Sequence, residues 1–327
     1  MPIGLGFQRK HQRIGYRAKY IYYFFKRRDI LQKKMSFGKC NKDKIYYVVK
    51  PDYQDEVEGL LSLIYRQMIY INYAVDKGYI PFVDWKNFKT QYSDGIVNAW
   101  EYFFKQPYDV EEINVYQSKT VYISGWTFRN LNPKGLFGSN VFFNKKLREE
   151  CTDIFKKYLK ISDEVMKMVN SECEYLKIDN CIGVYVRGTD YVKVRPSGEY
   201  IQPTAEQVIN KMLEFKEKYP NASFFLVTED GDIFDCISEV FPDDIHIVSY
   251  DRFIRGYEEK VVLSKSNVLD SDKKRRGQEY LTKMIILSKC KYLISSITQG
   301  SKFSYIMNDG KYRDEFIYGW ECQIFCW

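Results

Sequence analysis

The sequence predicts an α/β protein with parallel sheets and helices on both of their faces. Three observations carry that reading. The second half of the chain alternates short apolar, β-rich runs with amphipathic stretches of helical period, the pattern of strand–helix–strand units. The stretch from Ile45 to Trp85 repeats the same β–α–β order. The composition, 45% hydrophobic and 28% charged over 327 residues, is that of a globular chain long enough for two domains. Disorder as the dominant state is excluded. No stretch approaches the ~18 consecutive apolar residues that a spanning helix needs.

The chain opens on a basic arm. Residues 1–34 hold ten Lys or Arg and a single acid, Asp29, whereas the whole chain carries only +7. The body is therefore slightly acidic, which argues against a nucleic-acid binder with a basic globular face. Within residues 13–34, Ile14, Ala18, Ile21 and Phe25 recur at helical spacing between basic residues. Such a helix suits peripheral contact with an anionic membrane through residues 9–34. It equally suits packing on the body with a solvated basic face.

Ile45–Val49 reads as a strand. Gly59–Lys77 reads as a helix, with Leu60, Ile64, Met68, Ile71 and Val75 on one stripe and Gly78 as its terminator. Tyr79–Trp85 reads as a strand interrupted in character by Pro81. Residues 86–140 carry mixed signals. Phe142–Ile161 and Val165–Leu176 read as charged helices. Further on, the expected strands are Cys181–Val186, Ser223–Val227, Ile245–Ser249 and Tyr292–Ser295. The expected helices are Pro203–Tyr219, a short one from Asp232 to about Phe241, Gln278–Ser288 and Ser301–Asn308. Thr204 and Gln207 have the spacing of a capping box. The aromatic end, Tyr318–Trp327, suits either a core edge or a partner surface.

Two histidines, His11 and His246, are too few for His-based metal sites. Eight cysteines form no CxxC pair. With no signal-peptide pattern, they fit a reducing, cytoplasmic setting, at the inner face of the membrane if the arm binds it. Patterns GxxxxGK[ST], GxSxG and GxGxxG are absent, which disfavours a P-loop enzyme, an α/β-hydrolase and a dinucleotide oxidoreductase.

Parallel sheets bind ligands at the carboxyl ends of their strands, and three of these ends carry polar clusters. In the first, Arg187 closes a buried strand ahead of Gly188 and Asp190. Its planar fork matches phosphate oxygens, although a structural Arg187–Asp190 pair would look the same in sequence. The second is Thr228-Glu229-Asp230-Gly231-Asp232. Asp230 and Asp232 have the spacing of a DxD metal motif, or of acids placed at a helix start. The third is Ser295-Ser296-Ile297-Thr298-Gln299-Gly300-Ser301, which suits an anion site at a helix N-terminus or simple capping.

These residues resemble the fucosyltransferase superfamily: the α-1,6-, α-1,2- and protein O-fucosyltransferases and the nodulation fucosyltransferases. The likeness is carried by VRGTDY, by VTED and by LSKCKYLISSITQGSKFSYIMN. In the N-terminal half it rests on GLLSLIYRQMIYINYAVDKGYIPFVDW and NAWEYFFKQP, which look like bacterial relatives from surface-polysaccharide clusters. The resemblance covers most of residues 40–312. It implies a GT-B architecture, two Rossmann-like domains with parallel sheets facing a cleft. The divisions would be an arm over 1–38, an acceptor-side domain over 39–165 and a nucleotide-sugar domain over 166–327.

The resemblance also implies an inverting transferase that needs no metal and no cofactor. Its donor would be GDP-fucose or another nucleotide sugar, and its acceptor a glycan. Arg187 matches the arginine that contacts the donor diphosphate, with Arg195 or Lys302 as helpers. Asp190 matches the acid three residues later. Glu199 lies near the acid proposed as base in α-1,6 enzymes. Thr228, Asp230, Glu279, Ser296, Thr298, Gln299, Gly300 and Ser301 complete the expected donor site. The sequence departs from the family at three points. Tyr185 stands where His is frequent, Gly188 where a second Arg is, and Lys283 where a guanine-reading carboxylate is expected. Glu279 lies one helical turn before Lys283, on the same side. Two alternatives follow from these residues. One is a non-catalytic glycan-binding or scaffold relative, and the other a metal-dependent transferase using Asp230 and Asp232 with another nucleotide sugar.

Overall fold

The computed structural model describes residues 32–51, 58–125, 131–193, 200–257 and 271–319. Most of the basic arm, Arg195, Glu199 and the end of the chain from residue 320 lie outside the described residues. The helix expected over 13–34 does not include its last residues, because Lys33–Met35 form an exposed strand, β1.

β1 belongs to a four-stranded sheet with β2 (Tyr46–Val49), β3 (Ile80–Val83) and β4 (Val121–Ile123), in the order β1-β4-β2-β3. β2 runs parallel to both β3 and β4, and β1 is antiparallel to β4. Side chains alternate across this sheet. Tyr46 and Val48 pack with Phe82, Val115 and Val121 on one face. Tyr47 and Val49 face helix α1 (Leu60–Asp76) on the other. Gly78 ends the helix segment at φ +73°, a conformation glycine adopts without strain. Pro81 is tolerated because β3 is an edge strand. The N–H groups aimed at β2 belong to Ile80 and Asp84, so the missing donor of Pro81 faces outward.

Residues 85–104 form an aromatic layer after β3. Trp85, Trp100, Phe103 and Phe104 are fully buried, and the Trp85 and Trp100 rings meet edge to face at 5.7 Å. Two helices follow, α2 (Lys145–Tyr158) and α3 (Asp163–Leu176).

The second sheet is wholly parallel. It comprises β5 (Cys181–Tyr185), β6 (Ser223–Val227), β7 (Ile245–His246), β8 (Tyr292–Ser296) and β9 (Asp314–Tyr318), in the order β7-β6-β5-β8-β9. Winding starts at β5 and moves out to β7, then returns across β5 to β8. This is a doubly wound sheet, whose ligand crevice lies at the carboxyl ends of β5 and β8. Ile182, Val184, Phe224, Leu226 and Ile294 meet α4 (Ala205–Lys218) and α5 (Gly231–Val240) on one face. Cys181, Tyr185, Phe225, Val227 and Leu293 meet α6 (Lys273–Lys289) and α7 (Gln299–Asn308) on the other. The fold is thus α/β of the expected GT-B-like class, with two Rossmann-like units. The antiparallel edge strand β1 is an addition to the expected parallel sheet.

The core on the α6–α7 face continues without a break into α1, α2 and α3. Polar bonds tie the same elements together. The Thr152 hydroxyl donates to the Ile306 carbonyl at 2.8 Å, and the Tyr65 hydroxyl to that of Gln299 at 2.9 Å.

Several expected boundaries move. The strand expected over Ile245–Ser249 stops at His246, because Ser249 turns to give its N–H and hydroxyl to Glu172 on α3. The helix expected from Gln278 starts at Lys273, capped by Asp272, whose carboxylate accepts the Arg275 N–H. Gly277 lies inside it because a Cβ there would come 2.7 Å from the Phe103 ring. The last helix begins at Gln299 rather than Ser301. Strands β1, β4 and β9 have no counterpart in the periodicity of the sequence. Among the described residues no helix is long and apolar enough to cross a membrane. The six described cysteines are unpaired thiols, and Cys151, Cys181 and Cys290 are buried.

Candidate functional site

The carboxyl ends of β5 and β6 are locked together by a short network. Arg187 follows β5 and is half-buried. Its Nη2 donates to Asp190 Oδ1 at 3.1 Å, and its Nε lies 3.5 Å from Glu229 Oε1. Its guanidinium sits 4.4 Å from the centroid of the Tyr191 ring, a cation–π contact. Burial opposes the charge, but the Glu229 and Asp190 carboxylates more than offset this and hold its pKa above the ordinary arginine value. Glu229 also accepts the Gly188 N–H at 3.0 Å and the Thr189 hydroxyl at 3.0 Å. Asp190 is only 4% exposed and accepts a second bond from Thr189 Oγ1. It starts no long helix, only the turn Thr189–Lys193.

Asp230 is occupied by the backbone. Its Oδ1 caps α5 by accepting the Asp232 and Ile233 N–H groups at 2.9 and 3.1 Å, and its Oδ2 accepts the Thr189 N–H at 2.6 Å. Thr228 braces the Asp230 N–H. Asp232 accepts the Gly256 N–H. The DxD spacing therefore serves a helix cap and a loop tie. Among the described residues no group of three His, Cys, Asp or Glu side chains is placed to hold a metal ion. The same packing explains Gly188. A Cβ there would lie 2.3 Å from Asp230 Cβ, so an arginine at this position would not fit while Asp230 caps α5.

The third cluster stands beside the first, since Tyr185 pairs with Ser295 in the parallel register of β5 and β8. Thr298 caps α7, accepting the Ser301 N–H at 3.1 Å while Ser301 Oγ accepts the Thr298 N–H at 2.9 Å. Ser296 donates to Gln202. Gln299 Oε1 is buried with no hydrogen-bond partner among the described residues. Lys302, 5% exposed in the first turn of α7, holds its ammonium 4.2 Å from the Tyr65 ring centroid. The positive end of α7 thus opens at the carboxyl end of β8, beside the strand that Arg187 follows. Gly300 is required by Tyr185, whose Cε1 and Oη would be 2.6 and 2.7 Å from a Cβ there. Gly300→Ala should therefore lower stability by about 1–3 kcal/mol in urea unfolding; an unchanged midpoint would show that Tyr185 has room to move.

Tyr185 and Tyr280 face each other at 3.5 Å between hydroxyls. Burial pushes both phenols up, so both remain protonated. Tyr92, also buried, lies beneath the Arg276 guanidinium, which is 5.7 Å from its ring centroid. The position expected for guanine recognition is differently built. Lys283 pairs with Asp251, a carboxylate on the segment after β7 that is 1% exposed. Glu279 accepts from Arg275 at 2.7 Å and pairs with Arg252 at 3.4 Å. The structure therefore brings Arg187, Asp190, Thr228 and Asp230 into one network and sets Ser296, Thr298, Gln299, Gly300 and Ser301 beside it. Glu279 stands in a separate cluster with the arginines. Sequence reasoning gave no site role to Glu229, Asp251 or the Tyr92–Tyr185–Tyr280 group. Only Glu229 had a signal, its place at the end of an apolar strand.

No protein-family model matches the chain, and no curated protein matches it in sequence. Solved structures match its fold. POFUT1 in complex with GDP superposes with a TM-score of 0.50 at 12% identity, over 84% of this chain and 99% of that one. NodZ alpha-1,6-fucosyltransferase soaked with GDP-fucose gives 0.47 at 15% identity, over 81% and 93%. Fucosyltransferase NodZ from Bradyrhizobium gives 0.45 at 16% identity, over 80% and 92%. At these identities the likeness is one of fold.

Proposed function

We propose that the chain is a glycosyltransferase that moves a sugar, fucose from GDP-fucose, to a hydroxyl of a glycan acceptor, with inversion at the anomeric carbon and no resident metal. The observation that carries this reading is the place of Arg187. It is a charged fork held by Asp190 and Glu229 at the switch point of a doubly wound sheet, next to the positive end of α7. A nucleoside diphosphate is the ligand such a crevice suits.

In the reaction, the acceptor oxygen bonds to the anomeric carbon as the bond from that carbon to the β-phosphate oxygen breaks. The electron pair leaves with the diphosphate, and the acceptor proton passes to a carboxylate base. Arg187, Lys302 and the first turn of α7 stabilise the charge that develops on the leaving group. Because Asp190 is bound to Arg187 and Thr189, it fits the work of orienting Arg187, and the base we assign is Glu199. The setting we infer is surface-polysaccharide or glycoconjugate synthesis on the cytoplasmic side. There the basic arm, with ten Lys or Arg in residues 1–34, would rest on anionic lipid.

The test is thermal stability with GDP, UDP, CDP and ADP, each with and without Mn²⁺. GDP at about 100 times its dissociation constant should add ~2.7 kcal/mol to the folded state, equally in excess chelator. A response to UDP or CDP instead would keep the fold and discard fucose. A response only with Mn²⁺ would return the assignment to Asp230 and Asp232.

A further inference from the structure

A second pocket, of about 350 Å³, lies at the carboxyl edge of the N-terminal sheet. It opens where Lys50 leaves β2, Asp84 leaves β3 and Ile123 ends β4. β2 stands between β4 and β3, so this too is a switch point, the place where parallel sheets receive ligands. The volume is at the low end of small-molecule sites.

Its floor is pre-organised. The Asp84 carboxylate, 4% exposed, accepts from Lys50 Nζ at 2.9 Å, from the Tyr116 hydroxyl at 2.5 Å and from the Lys86 N–H at 2.8 Å. Burial, then Asp84, pushes the Tyr116 phenol upward, so it stays a donor. Lys50 has three ammonium protons and gives one to Asp84, which leaves donors for a ligand. At the mouth, Lys86 and Glu112 stand 3.6 Å apart, both about half exposed. Asn87 completes the wall in the left-handed region, φ +69°.

Donors and acceptors therefore alternate around a space whose charges cancel. An anion would meet Asp84 and Glu112, and a cation would meet Lys50 and Lys86. A neutral ligand whose every hydroxyl both donates and accepts meets a partner on each side. We propose that this pocket binds one neutral pyranose unit of the acceptor glycan. The inference rests on the glycosyl-transfer reading and deepens it. The segment after β3 links the two sites: it forms the pocket wall at Lys86 and Asn87, then packs Tyr92 and Phe103 against Gly277 of α6, the helix that carries Tyr280.

The test uses the full chain and the double variant Lys86→Ala/Asn87→Gly. Both residues lie outside the Arg187 network, and glycine keeps the left-handed backbone at 87. The probes are the methyl pyranosides of glucose, galactose, mannose and N-acetylglucosamine at millimolar concentration, read by saturation-transfer NMR. Methyl phosphate and tetramethylammonium serve as charged controls, and the GDP thermal shift is recorded in parallel. At least one glycoside should bind the unaltered chain and bind the variant about five- to tenfold more weakly, the scale of one lost hydrogen bond. The GDP shift should be the same in both proteins. Absence of glycoside binding, equal binding by the variant, or tighter binding of either charged control would overturn the proposal. Glycoside binding lost in the variant, with no GDP response in either protein, would uphold the pocket and sink the donor assignment alone.

Discussion

Arg187→Ala should reduce sugar transfer by roughly 10²–10³-fold, the scale seen when one preorganised donor to a developing negative charge is removed. The reason is geometric. Asp190 at 3.1 Å and Glu229 at 3.5 Å hold the guanidinium in place before any ligand arrives, so no reorganisation is needed when the leaving diphosphate gains charge. The same change should weaken the GDP-induced thermal shift. Alanine also leaves two carboxylates without their cation, so Arg187→Lys is the control for folding. Lysine keeps the charge and loses the planar fork, and should give an intermediate rate in a protein of near-normal stability. Turnover close to that of the unaltered chain in the alanine variant would remove Arg187 from the mechanism.

Asp230→Ala should act on stability. It removes the cap of α5, worth about 0.5–2 kcal/mol, and strands the buried Thr189 N–H, worth about 1–3 kcal/mol. The loss together is about 1.5–5 kcal/mol, a fall in Tm of between about 2 and 7 °C for a chain of this length. Added Mn²⁺ should not restore it. Asp230→Asn keeps a side-chain oxygen for the cap and should lose less. A variant of normal Tm with transfer abolished and Mn²⁺ binding lost would show instead that Asp230 is a metal ligand. Because Asp230 also sets the room left for Gly188, at 2.3 Å from a Cβ there, the two ends of β5 and β6 behave as one unit.

Much of the C-terminal unit was legible. The runs at Cys181, Ser223 and Tyr292 are apolar and β-rich, and both β-branched and aromatic side chains suit a strand buried on two faces. The capping box at Thr204 and Gln207 forms as its spacing predicts. Residues 86–140 were not legible. Their buried Trp100, Phe103 and Phe104 follow no period because they pack on one another, on Trp85 and on α6 rather than on one continuous element. β1 and β4 are three residues each, too short to show alternation. β9 opens on Asp314 and Glu315, which bind Lys218 and Tyr305 on other elements and hide the strand in the sequence.

The site divides in the same way. Arg187, Thr298 and the cluster around Asp230 could be named from sequence because each follows directly on an apolar run, and strand ends carry ligands in parallel sheets. What each side chain does there could not. An acid after a strand reads alike whether it caps a helix, orients an arginine or holds an ion. Asp230 became a cap because α5 starts at Gly231, and Asp190 became the partner of Arg187 because the chain turns at Thr189, φ +41°. The sequence by itself determined the alternation of strands and helices, since periods of two and 3.6 residues are properties of neighbours along the chain. Tertiary structure alone decided the strand order, with it the pairing of β8 beside β5 that sets the start of α7 next to the Arg187 strand end, and the Lys283–Asp251 and Lys50–Asp84 pairs. Those depend on contacts between residues far apart in the chain, which local pattern does not encode.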